Sequence, residues 1–128
     1  MALELSTSYM DSHRSQDFIE KAREKLKDLD YDTMVGIGFS GVFAILKLAP
    51  ALGKNYLALR KPTDNSHSQN FGEGILGEKW LFVDDVVSTG ETKRTVQLKI
   101  QQICESYDVK TQCVGEYRYQ YNELVLYQ

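Results

Sequence analysis

Residues 81–92 read "LFVDDVVSTGET": an apolar run, the adjacent carboxylates Asp84 and Asp85, two more apolar residues, then Ser88, Thr89, Gly90, Glu91 and Thr92. The apolar run, which begins at Lys79 and Trp80, reads as a buried strand that delivers both carboxylates to one edge of a sheet. The hydroxyl- and glycine-rich segment after it opens a helix. A helix start presents unpaired N–H groups and a positive dipole end, so a phosphate can sit there, and Gly90 lets the backbone come close. Acids beside an anion site conflict only if both face the same group. On a phosphorylated sugar they do not: carboxylates accept hydrogen bonds from vicinal hydroxyls, directly or through a metal-bound water, while the helix start takes the phosphate. A plain helix cap needs one such residue and no acid pair.

Outward from this stretch, strands and helices alternate. Phe18, Ile19, Ala22, Leu26 and Leu29 recur at helical spacing between charged residues, which predicts an amphipathic helix over 15–29. "TMVGIG" (33–38) and "NYLALR" (55–60) read as buried strands, and "GVFAILKLAPALG" between them as a helix buried nearly all round and stopped by Gly53. After Gly90, residues Val96, Ile100, Ile103, Cys104 and Tyr107 mark one face of a further helix. The tail alternates as strands do, with a turn near Asn122 and Glu123, and sets Tyr117, Tyr119 and Tyr121 on one strand face. The whole predicts one domain over 1–128, α/β in class, with a mostly parallel sheet. Ligands of such sheets bind beyond the carboxyl ends of the strands, where loops 36–41, 60–77 and 84–92 gather.

Composition narrows the partners. A net charge of −3 gives no general attraction to nucleic acid or to an anionic membrane. The longest apolar stretch, Val42 to Leu52, is interrupted by Lys47 and Pro50 and is too short to span a bilayer. "MALELSTSYM" lacks the basic start and apolar core of a signal peptide. Cys104, Cys113, His13 and His67 fit no zinc spacing, so the cysteines read as small buried hydrophobes of a cytoplasmic protein.

The loop "GIGFSG" spells G-x-G-x-x-G at Gly36, Gly38 and Gly41, between a strand and a helix, as a dinucleotide site would require. Such a site wants an acid at the end of the second strand, where this chain has Arg60 and Lys61; NADP tolerates cations there, NAD does not. A nucleophile elbow around Ser40 lacks its final glycine. Neither reading accounts for the acid pair.

"LFVDDVVSTGET" closely resembles the phosphoribosyl-pyrophosphate (PRPP) signature of the type I phosphoribosyltransferases, and the likeness extends over roughly residues 33–115. The resemblance implies that family's fold, three layers with helices on both faces of the sheet. It also implies a magnesium-dependent transfer of the 5-phosphoribosyl group from PRPP to a nitrogenous base, a purine, pyrimidine or related ring, within nucleotide salvage. Under it, Asp84 and Asp85 hold the ribose hydroxyls and, through them or through water, the metal, while Ser88, Thr89, Gly90, Glu91 and Thr92 cradle the 5-phosphate. "GIGFSG" looks like the pyrophosphate loop, with Gly38, Phe39, Ser40 and Gly41 donating N–H groups. Arg60 and Lys61 face the pyrophosphate, as in adenine and orotate phosphoribosyltransferases. Residues 62–78 become a flexible lid whose His67 reaches the pyrophosphate on closure, and 1–32 a minimal hood before a 33–128 core. A homodimer is implied too. Enzymes for 6-oxopurines carry an acid at the place of Ser88, so hypoxanthine and guanine are disfavoured. The alternative is a non-catalytic PRPP-binding regulatory module; an NADP-binding protein stands third.

Overall fold

A computed structural model describes Leu3 and residues 16–60, 72–85 and 91–127. Lys61, His67, Ser88, Thr89 and Gly90 lie outside the described residues, within the stretches 61–71 and 86–90. In chain order the elements are α1 (Gln16–Leu26), β1 (Thr33–Ile37), α2 (Gly38–Leu52), β2 (Asn55–Leu59), β3 (Gly72–Gly74), β4 (Lys79–Asp84), α3 (Glu91–Tyr107), β5 (Gln112–Arg118) and β6 (Glu123–Leu126).

Among the described residues the six strands form one sheet in the order β3-β2-β1-β4-β5-β6. The four inner strands are parallel, and β3 and β6 close the edges antiparallel. Alternation along the strands sorts side chains into two cores. Met34, Leu81, Val83 and Tyr117 face α1 and α2, where they meet Phe18, Ala22, Leu26, Ala44, Ile45 and Leu48. Val35, Ile37, Trp80 and Phe82 face the other way, onto Val96 and Ile100 of α3. Helices therefore cover both faces, and the layered α/β arrangement read from the sequence is the one observed. No helix among the described residues is long and apolar enough to cross a membrane.

The elements depart from the sequence reading in three places. First, α2 begins at Gly38, not Gly41, so the glycine loop is itself the first turn of the helix. It ends as expected, with Gly53 in the left-handed region (φ 70°) and its N–H bonded to the Pro50 carbonyl at 3.3 Å. Nor is α2 buried all round: Phe39, Phe43 and Leu46 are exposed, because the sheet and α1 cover only the Ala44, Ile45, Leu48 side. Second, residues 72–74 within the stretch read as a lid pair with β2. A Cβ at Gly72 or Gly74 would come within about 2 Å of the Ala58 or Tyr56 carbonyl oxygen, so only glycine lets this edge lie so close. Third, the tyrosine stripe breaks. Tyr117 is in β5, but the strand ends at Arg118; Tyr119 is buried in the following turn, and Tyr121 is 70% exposed there.

Candidate functional site

Register brings three chain segments to one sheet edge. Ile37, the last residue of β1, is level with Leu59, the last of β2, so Arg60 follows abreast of Gly38. Phe82 pairs with Val35, which puts Asp84 at the same edge two residues later. Of the loops read from the sequence, the glycine turn, the start of the 60–77 segment and the acid pair therefore converge.

The glycine turn is an anion-ready helix start. Ile37 occupies the cap position with extended backbone and makes no side-chain cap bond, and the first turn of α2 holds no acid. The N–H groups of Gly38, Phe39 and Ser40 precede the helix's own ladder and point out of its positive end. Gly38 takes φ 73°, which a side chain would resist. Gly36 and Gly41 serve a different need. A Cβ on Gly36 would meet the Gly41 carbonyl oxygen at 2.6 Å, and one on Gly41 would meet the Val83 carbonyl oxygen at 3.2 Å. The helix start is thus pressed directly onto the backbone of β1 and β4. The described residues contain no cis peptide bond.

The acid pair touches this turn. Asp84 Oδ1 accepts the Asp85 N–H at 2.9 Å and lies 3.4 Å from the Ser40 hydroxyl, which donates to it. Burial pushes the Asp84 carboxyl up to about 7, helped by the charges of Asp85 and Glu116, and the Asp85 backbone N–H only partly offsets this. Arg118 is level with Asp84 on the next strand, but its guanidinium is engaged by Glu116 at 2.9 Å and by Glu123. Asp84 is therefore a half-buried carboxylate whose ordinary charge calls for hydroxyl donors or a cation. Two adjacent acids offering only oxygen suit a hard divalent ion such as magnesium, which keeps most of its waters.

Glu91 and Thr92 open α3 and are described; Ser88, Thr89 and Gly90 immediately before them are not. Arg60 is exposed at the end of β2. The residue that sequence reasoning missed is Tyr119. Its hydroxyl donates to the Ser40 carbonyl at 3.0 Å, while its own N–H donates to the Asp84 carbonyl at 3.0 Å. A contact spanning 79 positions leaves no local mark in a sequence.

The two cysteines are free thiols, half-buried against the α3 core. Burial pushes the Cys113 thiol up to about 11, so it packs and does not react. Both line a concavity of about 530 Å³ with Trp80, Ile100 and Thr111 at the amino ends of β4 and β5, away from the acid pair.

No family model matches the chain. It is 33% identical over 97 residues to an adenine phosphoribosyltransferase of Halothermothrix orenii, covering 62% of this chain and 57% of that one. It is 29% identical over 89 residues to the transcriptional regulator GfcR of Methanocaldococcus jannaschii, covering 62% and 42%. Among solved structures, the orotate phosphoribosyltransferase of Mycobacterium tuberculosis H37Rv in complex with PRPP superposes with a TM-score of 0.55 at 19% identity, over 84% of this chain and 62% of that one. Fold and sequence kinship agree: the chain is a homologue of the type I phosphoribosyltransferases, among them adenine and orotate enzymes. It spans about half the length of the curated relatives it matches.

Proposed function

We propose that the protein is a phosphoribosyltransferase, a pentosyl-transferring glycosyltransferase that moves the 5-phosphoribosyl group of PRPP to a nitrogenous base and releases pyrophosphate. One observation carries the reading: the half-buried Asp84 carboxylate meets Ser40 of an uncapped helix start, which joins a hydroxyl-binding acid to an anion-binding turn at one sheet edge. A dinucleotide fold has no use for that acid pair at this position.

In the proposed reaction a ring nitrogen of the base attacks C1 of the ribose as the C1–oxygen bond to pyrophosphate breaks, through an oxocarbenium-like transition state. Asp84 and Asp85 accept the ribose hydroxyls and so fix the sugar. The N–H groups of Gly38, Phe39 and Ser40, with Gly41 holding the turn in place, receive the departing pyrophosphate; Arg60 and Lys61 add positive charge there. Residues Ser88 to Thr92 take the 5-phosphate, and the segment around His67 closes the site against water. Asp84 and Asp85 would hold Mg2+ through water or ribose hydroxyls, and the cation, when bound, screens the negative oxygens of PRPP. The acceptor is an adenine-like, orotate-like or unusual base, since Ser88 disfavours 6-oxopurines. A homodimer fits the exposed apolar Phe39 and Leu46 of α2. The free thiols suit the cytoplasm.

The second reading, a PRPP-binding regulator without turnover, is favoured by the kinship with a protein named as a transcriptional regulator. Incubating the protein with PRPP, Mg2+ and a panel of purine, pyrimidine and pyridine bases separates the two. Pyrophosphate release with one base supports transfer; PRPP binding with no release from any base supports the regulator.

A further inference from the structure

The turn between β5 and β6 holds both halves of the site at once. The Tyr119 N–H donates to the Asp84 carbonyl at 3.0 Å and the Gln120 N–H to the Asp85 carbonyl at 3.2 Å, which fixes the backbone that carries the acid pair. From the same residue, the Tyr119 hydroxyl reaches the Ser40 carbonyl at 3.0 Å. Tyr119 is 6% exposed, and its ring stands edge-on to Phe18 of α1, with centroids 5.5 Å apart and planes at 82°. Packing therefore fixes where the hydroxyl points.

The partner is the part of the site least secured by itself. The first turn of α2 follows a cap residue that makes no side-chain bond, and it contains glycines at 38 and 41. A helix end without a cap frays, and glycine widens the range over which it can do so. A tether on the Ser40 carbonyl restrains that residue's backbone, and with it the direction of the N–H groups at Gly38, Phe39 and Ser40. It also fixes the base from which the Ser40 hydroxyl reaches Asp84.

We infer that Tyr119 is a positioning residue that preorganises the pyrophosphate-binding turn and locks its spacing to the acid pair. The inference rests on the phosphoribosyl-transfer reading. It assigns Tyr119 no contact with substrate; its effect passes through the Ser40 carbonyl. Loss of the hydroxyl leaves the turn to be ordered by the ligand, at a cost in affinity confined to the pyrophosphate end.

The test is calorimetric titration of the wild type and Tyr119→Phe with magnesium pyrophosphate and, separately, with ribose 5-phosphate. Tyr119→Phe keeps the ring against Phe18 and deletes only the hydroxyl. It should weaken pyrophosphate about fivefold to tenfold, the size of one lost hydrogen bond. Ribose 5-phosphate, held by the acid pair and the segment before α3, should change less than about twofold. Amide hydrogen exchange over residues 37–44 should quicken in the variant while its melting temperature stays near that of the wild type. Phe18→Leu, which removes the ring that orients Tyr119 but keeps the hydroxyl, should shift pyrophosphate affinity in the same direction by less. Equal weakening of both ligands would make Tyr119 a general structural residue and overturn the inference. So would unchanged pyrophosphate affinity in Tyr119→Phe where the wild type binds both ligands. A wild type that binds neither ligand would instead remove the transfer reading, and this inference with it.

Discussion

In the proposed function, Asp84 is a side chain that serves binding at the expense of stability. Its carboxyl ordinarily titrates near 3.8, and burial raises it to about 7 in the folded protein. Between those values the folded state holds a proton that the unfolded state has lost, so stability falls as pH rises through that window. Below about 3.8 both states are protonated and the side chain's contribution is intact; above about 7 it has been lost. Asp84→Asn removes the titration. The variant should melt a few degrees above the wild type at pH 8, on the scale of about 1 kcal/mol in a domain of this size, and the gap should narrow at pH 5. Thermal unfolding at the two pH values checks this, and a gap that widens at pH 5 would contradict it. Binding should move the opposite way: PRPP affinity in the wild type rises with pH up to about 7, because the carboxylate is the form that accepts hydroxyl protons.

At the scale of elements, the β1–α2 junction depends on two backbones in direct contact. Gly36→Ala would drive a Cβ to 2.6 Å from the Gly41 carbonyl oxygen, and backbone cannot swing aside as a side chain can. The variant should lose about 1–3 kcal/mol in denaturant unfolding, the usual size of overpacking, and lose pyrophosphate binding with it. An alanine variant as stable as the wild type would refute the contact. This junction also marks the limit of the sequence reading. "GIGFSG" announced a strand-to-helix turn, yet three glycines look alike in a string. Only the fold separates Gly38, which needs positive φ, from Gly36 and Gly41, which need closeness. Strands with strong apolar patterns, such as 79–84, were legible to the residue. Residues 72–74 were not, because Gly-Glu-Gly carries no strand propensity and pairs only where glycine allows close approach. Likewise the alternation of Tyr117, Tyr119 and Tyr121 resembles a strand face, but backbone pairing ends at Arg118 and the turn reassigns the last two. On α2, an almost wholly apolar composition suggested burial all round, whereas a helix resting on one sheet covers only one side. If that exposed side joins two copies, Leu46→Glu should convert a dimer to a monomer in light scattering without altering the melting temperature by more than a few degrees. A monomeric wild type would contradict it.

In the molecule as a whole the acid pair and the glycine turn gather at one edge of the parallel sheet. At the opposite edge Asp32 gathers β1, β2 and β4: its carboxylate accepts the Glu78 and Lys79 N–H groups, each at 3.0 Å, and its carbonyl the Asn55 N–H. The acid pair, the α2 start and the end of β2 can then converge at the carboxyl edge because the strands that carry them are in register. The sequence motif at 81–92 pointed to a sugar phosphate, and the structure adds the Ser40–Asp84 contact that no motif contains. The central claim is that this edge binds PRPP through the acid pair. Calorimetric titration with PRPP and Mg2+ of the wild type and of Asp84→Asn combined with Asp85→Asn tests it most directly. The account predicts binding by the wild type and a loss of about 100-fold or more in the double variant, from two or more charge-assisted hydrogen bonds. Unchanged PRPP affinity in that variant, or tight NADP binding by a wild type that ignores PRPP, would contradict it.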